Sequence, residues 1–290
     1  MELMLFNTII FFVLGTIMVS AAHSVANWRM GRKHPELLTN PDALWSSTAF
    51  VTRRMGLYAA FLMGTFAVAQ NIGNAVFKAG SIADGLTSDL LIESGLGLLS
   101  IFVFVFTALR SIDWLILSNV DNDTQVANNN NYAVGLTEGA ILLGTGFVAY
   151  GSLLGEGHIT SAWVFFLIGQ VVFVVISYLM EYVIHPEHNA KSDIEKGCVA
   201  SGVIVSTMLL VVAMFVKNGV AGDFYGYAQD IPYFLKMFGL QFGLFLIYMF
   251  LMEPILLKVM RIRSTALNGA MIRAVMQLTI AGSIVYNVSL

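Results

Sequence analysis

Long apolar runs separated by short polar connectors set the pattern of this chain. Eight stretches reach the length of a bilayer-spanning helix, roughly 20 mostly apolar residues. They are 4–28, 51–72, 91–117, 132–154, 161–184, 197–216, 232–259 and 266–285. A spanning β-barrel would instead show alternating polar and apolar positions. Runs such as IFVFVFTAL (101–109) and VVFVVISYLM (171–180) do not alternate, so helices are predicted.

Composition agrees with that pattern. Of 290 residues 57% are hydrophobic and only 11% charged, against roughly 25% charged in ordinary soluble domains. The predicted fold class is all-α: a polytopic integral membrane protein of about eight transmembrane helices arranged as four helical hairpins. The hairpin units are 1–90 (divergent), 91–157, 158–222 and 223–290, with no soluble domain. A net charge of −3 without a basic tail argues against nucleic acid as a partner. The lone cysteine, Cys198, excludes an internal disulfide and reads as a packing residue. VSAAHS in the first run resembles a cleavage site, but Glu2 replaces the positive start of a signal peptide, so an uncleaved span is expected.

Lysines and arginines set the expected orientation, because the positive-inside rule works best on short loops. Call the loops joining spans 1–2, 3–4, 5–6 and 7–8 side A, and the other loops with both termini side B. Side A and its helix ends hold Arg29, Arg32, Lys33, Arg53, Arg54, Arg110, Lys191, Lys196, Lys258, Arg261, Arg263 and Arg273. Side B holds Lys78, Lys217 and Lys236. The expectation is a bacterial inner membrane with side A cytoplasmic and both termini on the periplasmic or external side.

The chain also repeats itself. SVANWR, RSIDWL, YLMEYV and FLMEPI end the odd-numbered spans, placing Asn27, Asp113, Glu181 and Glu253 just inside the side-A boundary. In the even-numbered spans Ala133, Gly135 and Gly139 match Ala200, Gly202 and Ser206 at one constant offset, and Gly144 and Gly146 extend the thin face of span 4. Small residues four apart let helix backbones approach closely in a membrane. Spans 2 and 8 do not match this register. The polar loop is always on side A, so the repeats are parallel. A segment Asp193-Ile194-Glu195-Lys196-Gly197-Cys198-Val199-Ala200, with a second copy at Asn128 to Asn131 followed by Tyr132-Ala133-Val134-Gly135, carries a family resemblance. From about residue 95 to 290 the chain resembles the bacterial membrane family called "domain of unknown function 350", the YjfL-type inner-membrane proteins. The Gly-Asn pair of that family's turn stands here as Gly197-Cys198 and Asn130-Asn131. The resemblance implies a membrane protein, often with tandemly duplicated units, and no settled activity.

Ionisable residues inside a span are expensive and therefore informative. Arg110 and Asp113 share one face of span 3, and Glu138 sits at comparable depth on span 4, so either carboxylate is expected to neutralise Arg110. Glu253 and Arg273 fall at one depth of the last hairpin. Glu181 has no evident cation, and Asn27 with Arg53 or Arg54 would make a weaker pair. These six, Arg110, Asp113, Glu138, Glu181, Glu253 and Arg273, are the ion-path candidates. Gly135, Gly139, Gly144, Gly202 and Ser206 are the helix-packing candidates. The plainer reading makes each charged pair a snorkelling link between helices.

His185-Pro-Glu-His188 reads as a solvated loop. Asp121-Asn122-Asp123 lacks the glycine and glutamate of a calcium loop. Asn128–Asn131 reads as helix capping, and His23 as a buried imidazole satisfied by a neighbour. No metal site, cofactor or catalytic constellation emerges, so no enzyme is expected. The functional expectation is a passive path for a small ion, proton or solute along a polar seam between hairpins. The alternative is a non-transporting scaffold that recruits cytoplasmic proteins to the side-A loops in an envelope-stress or membrane-remodelling system. Membrane lipid is the expected partner in either case, and self-association is compatible with both.

Overall fold

The computed structural model describes the backbone of residues 2–39, 41–115, 121–155, 157–184, 190–262 and 266–288. Within these, the side chains of 2–4, 37, 38, 41, 43, 109–115 and 180–184 lie outside the described set. The described chain is all-α, and eight of its helices are long and apolar enough to cross a membrane. With no water in the bilayer core, each span must satisfy its own backbone groups, which a helix does.

In chain order the helices are α1 (Glu2–Lys33), α2 (Pro41–Ser46), α3 (Thr48–Ala79), α4 (Ile82–Gly85), α5 (Ser88–Leu115), α6 (Asn122–Ala127) and α7 (Tyr132–Leu153). Then follow α8 (Ile159–Ile184), α9 (Ala190–Glu195), α10 (Val199–Val220), α11 (Tyr227–Ile247), α12 (Glu253–Val259) and α13 (Leu267–Asn287). A π turn, Tyr248–Met252, joins α11 to α12. Its cause is local: Pro254 lacks an N–H and its ring crowds the carbonyl four residues back. The wider turn accommodates it, with Glu253 N–H bonding to Tyr248 O.

Packing order differs from a set of separate hairpins. The even-numbered spans α3, α7, α10 and α13 pack in series, and the odd spans lie outside them. Contacts fix the directions. Gly146 approaches Ala60, Gly135 approaches Ala49, Gly144 meets Ala213 and Gly202 meets Ala133, with numbers rising together, so α3, α7 and α10 run parallel. The sequence explains why α7 is central. Its run of glycines, alanines and threonines leaves a thin cylinder, and most of its residues are buried. A Cβ on Gly146 would lie 2.5 Å from Ala60 Cα, so only glycine permits that approach. The packing candidates sit in these seams: Gly135 against Ala49, Gly139 against Thr52, Gly144 against Phe173 and Ala213, Gly202 against Ala133. Ser206 is buried, and its hydroxyl has no hydrogen-bond partner.

Span 2 does share the register that the sequence pattern missed. Each of α3, α7 and α10 follows a six-residue helix on side A and begins at an N-cap residue: Ser47, Asn131 and Cys198. Two residues further on stand Ala49, Ala133 and Ala200, all buried. Successive units are tied the same way. Ser47 Oγ donates to Val126 O at 2.8 Å, and Asn131 Nδ2 donates to Ile194 O at 3.0 Å. Val126 and Ile194 hold the same place in α6 and α9, both fully buried.

Candidate functional site

The charged candidates on side A fall into sets held by different helices. Arg53, on the first turns of α3, donates to Asp123 Oδ1 at 2.8 Å and to Glu138 Oε2 at 3.2 Å. The partner of Glu138 thus includes Arg53, a residue from the neighbouring span 2. Arg110, Asp113 and Glu181 lie on α5 and α8, but their side chains are outside the described residues. The pair expected in the last hairpin is present. Arg273 Nε donates to Glu253 Oε1 at 2.6 Å, and Gln277 Nε2 lies 2.9 Å from both oxygens of the same carboxylate. Glu253 is 1% exposed. Its burial is thereby matched by a cation and an amide, which a buried carboxylate requires.

Asp123 belongs to α6, outside the spans. Burial pushes its carboxyl upward, but the Arg53 guanidinium and hydrogen bond, with Lys33 and Arg29 further off, outweigh that and hold it below the usual carboxylate range. His34 Nε2 lies 3.0 Å from Asp121 Oδ2, and His34, Asp121 and Asp123 could converge on a cation. Arg53 already occupies Asp123, so this group is an ion-pair network in which His34 extends the carboxylates. His185 and His188 lie outside the described residues. Asn131 caps α7 as expected, accepting from Val134 N.

At the opposite end, side B, the sequence marks Lys78, Lys217 and Lys236 but no site candidate. There the ends of α3, α5, α7, α8, α10 and α11 enclose a cavity of about 870 Å³. That is within the range of small-molecule sites, about 300–1,000 Å³. Asn74, Lys78 and Glu93 line one wall; His158, Asp223 and Asp230 line the other. Two of its polar groups hold the rim in shape. Asn71 donates to Leu153 O at 2.7 Å and accepts from Gly155 N at 3.3 Å. Asp230 accepts from the backbone of Tyr225 and Gly226 at 2.9 and 3.1 Å. Val68, Gly97, Ala162 and Phe165 reach its deepest part. Outside the cavity lining, Phe104 of α5 and Phe166 of α8 stack face to face at 3.7 Å between ring centroids. Further along α8 from the cavity, Gln170 is buried with neither amide atom partnered, and on α7 Thr145 Oγ1 is unpartnered as well. No signal in the sequence assembles this cavity, since each helix end contributes at most three polar residues.

Eight apolar helices packed on a glycine-lined central row, with polar groups confined to their ends and seams, define a polytopic helical membrane protein. Residues 81–220, which carry α4 through α10, match the family described as Domain of Unknown Function (DUF350). The match stops at the end of α10 and does not extend into the fourth hairpin. No curated protein and no solved structure matches the chain.

Proposed function

We propose that the protein admits a small polar solute or ion from side B, taken as the external face, and passes it between α3, α5, α7 and α8. The observation that carries this reading is the solute-sized vestibule with polar walls at the side-B helix ends. Unpartnered Gln170 and Thr145 supply polar atoms inside the bundle, where a buried polar group without a partner is costly. Glu138 stands seven residues from Thr145 on the same helix, which places both on one face of α7. The inferred route runs from vestibule to Gln170 and Thr145, then to Glu138 and Arg53 on side A. Glu253 and Arg273, closed on one another in the last hairpin, stand off this route and act as a structural link.

The second reading, a scaffold for cytoplasmic proteins, is favoured by the ion pairs that bind Arg53 and Arg273. Flux into proteoliposomes separates the two. Protons, potassium and chloride are driven by an imposed potential, with Asn74→Trp to obstruct the vestibule and Glu138→Gln to alter the route. Flux lost in both monodisperse variants supports transport. Absence of flux for all three ions, or flux that neither variant changes, removes the proposed path and favours the scaffold.

A further inference from the structure

Between α1 and α3, four side chains form a hydrogen-bonded chain whose direction is chemically forced. Arginine can only donate, and Arg54 Nη2 donates to Asn27 Oδ1 at 2.7 Å. The Asn27 amide nitrogen therefore faces His23 Nε2, 2.9 Å away, which must accept. The ring hydrogen of His23 then sits on Nδ1 and is donated to Tyr58 Oη at 2.6 Å. Tyr58 keeps its own O–H hydrogen, with no acceptor for it among the described residues. At the other end Arg54 Nε also has no partner. The set begins and ends in donors, and what it lacks is an acceptor.

The missing acceptor should carry negative charge. Arg54 is 3% exposed and makes no ion pair among the described residues. Its neighbour Arg53 takes up both nearby carboxylates, while Arg54 turns toward α1. The Phe50 ring lies 5.0 Å from its guanidinium carbon and covers one face, and Nε is sealed inside, leaving the outer edge of the guanidinium to a ligand. The nearest carboxylate that acts on it, Asp123, is already held by Arg53. A buried cation without an ion pair of its own is expensive, and in a membrane such a group marks a function or a bound anion.

Depth names the source of that anion. Helix α3 has 32 residues, about 48 Å at about 1.5 Å per residue, against a hydrocarbon core of about 30 Å. Centred, it overhangs the core by about 9 Å at each end, so Arg54, six residues in, lies at the boundary where lipid phosphates and esters sit. Trp28 and Trp45 are exposed at the same level, as expected of a membrane-interface belt. His23 stacks on Trp45 with centroids 6.0 Å apart. Arg29, Arg32 and Lys33 end α1 beside it and add attraction for an anionic leaflet.

We propose that the α1–α3 groove is a head-group site for an anionic phospholipid of the side-A leaflet. Its phosphate accepts from the outer edge of the Arg54 guanidinium, and a phosphate or ester oxygen accepts from the Tyr58 hydroxyl. The site lies outside residues 81–220, so it belongs to the first hairpin and not to the family segment. It is also independent of any flux through the bundle.

The test uses the purified full chain in mixed micelles with phosphatidylglycerol or phosphatidylcholine, read by thermal unfolding and by native mass spectrometry of retained lipid. The wild type is expected to retain phosphatidylglycerol in preference and to melt higher with it. Arg54→Gln and Tyr58→Phe should each weaken that preference, Arg54→Gln by about fivefold or more. Should Arg54→Gln fail to fold, Tyr58→Phe decides. Equal effects of the two lipids, or a preference that Tyr58→Phe leaves intact, overturn the proposal. Inorganic phosphate alone reproducing the full stabilisation would assign the site to a soluble oxyanion and overturn the lipid.

Discussion

Arg53 and Arg54 are sequence neighbours with opposite surroundings, and the difference follows from helix geometry. Side chains one residue apart point about 100° apart around α3, so Arg53 meets α6 and α7 while Arg54 meets α1. The Arg53–Asp123 pair has a pH signature whose sign is fixed. Asp123 is held below its ordinary value in the folded protein, so its contribution is fully present above the unfolded value, about pH 4. It is lost as pH falls from there through the depressed folded value. Asp123→Asn is expected to cost about 2 kcal/mol near neutral pH, the scale of a hydrogen bond to a charged group. Thermal unfolding in detergent at several pH values checks this: the gap between wild type and variant should be constant above about pH 4 and shrink below it. A gap that stays constant into strong acid would show that the pair contributes no charge-dependent stability. The sequence made Glu138 visible as a costly buried charge but did not place Arg53 among its partners. Depth along a hairpin was readable, whereas contact between spans 2 and 4 depends on how hairpins pack.

At the level of elements, what was legible was whatever local chemistry dictates. The eight spans follow from apolar length, and the cap of α7 from its asparagines. The turn before α7 and α10 is a further case. Asn130 and Gly197 occupy one position of it, and both have positive φ, 47° and 85°, a conformation that glycine and asparagine tolerate best. The glycine seam of α7 was legible as a thin face, but not that it joins parallel helices of successive hairpins. The side-B vestibule was not legible because six helix ends build it and no one segment carries its pattern. The seam gives a clean contrast between two glycines. Gly146→Leu would drive a side chain into the α3 backbone at Ala60 and is expected to cost about 3 kcal/mol or more. A Cβ on Gly95 meets nothing within 4 Å, so Gly95→Leu should leave stability unchanged or slightly raised, through its better helix propensity. Yield of monodisperse protein and unfolding temperature report both. Equal tolerance of the two substitutions would mean that α3 and α7 do not pack as closely as described.

For the whole molecule, the functional readings depend on which face is which. The vestibule takes an external solute only if side B is outside, and the α1–α3 groove meets the inner leaflet only if side A is inside. The charge asymmetry motivates that orientation, and the chain carries its own reporter for it. Cys198 is the sole cysteine; it is exposed and caps the side-A end of α10. A membrane-impermeant maleimide should therefore leave it unmodified in sealed vesicles that keep the cellular orientation, and label it in inverted vesicles. Serine in its place keeps a good N-cap, so Cys198→Ser provides a silent background. On that background Tyr225→Cys, at an exposed side-B position beside the vestibule, should give the reverse pattern. Opposite labelling of the two sites establishes that α10 crosses the bilayer and assigns the faces together. If Cys198 is labelled from outside, the vestibule opens to the cytoplasm instead. The direction of the proposed solute path would then reverse, and the anionic-lipid site would move to the outer leaflet, where the surface-charge argument for it no longer holds.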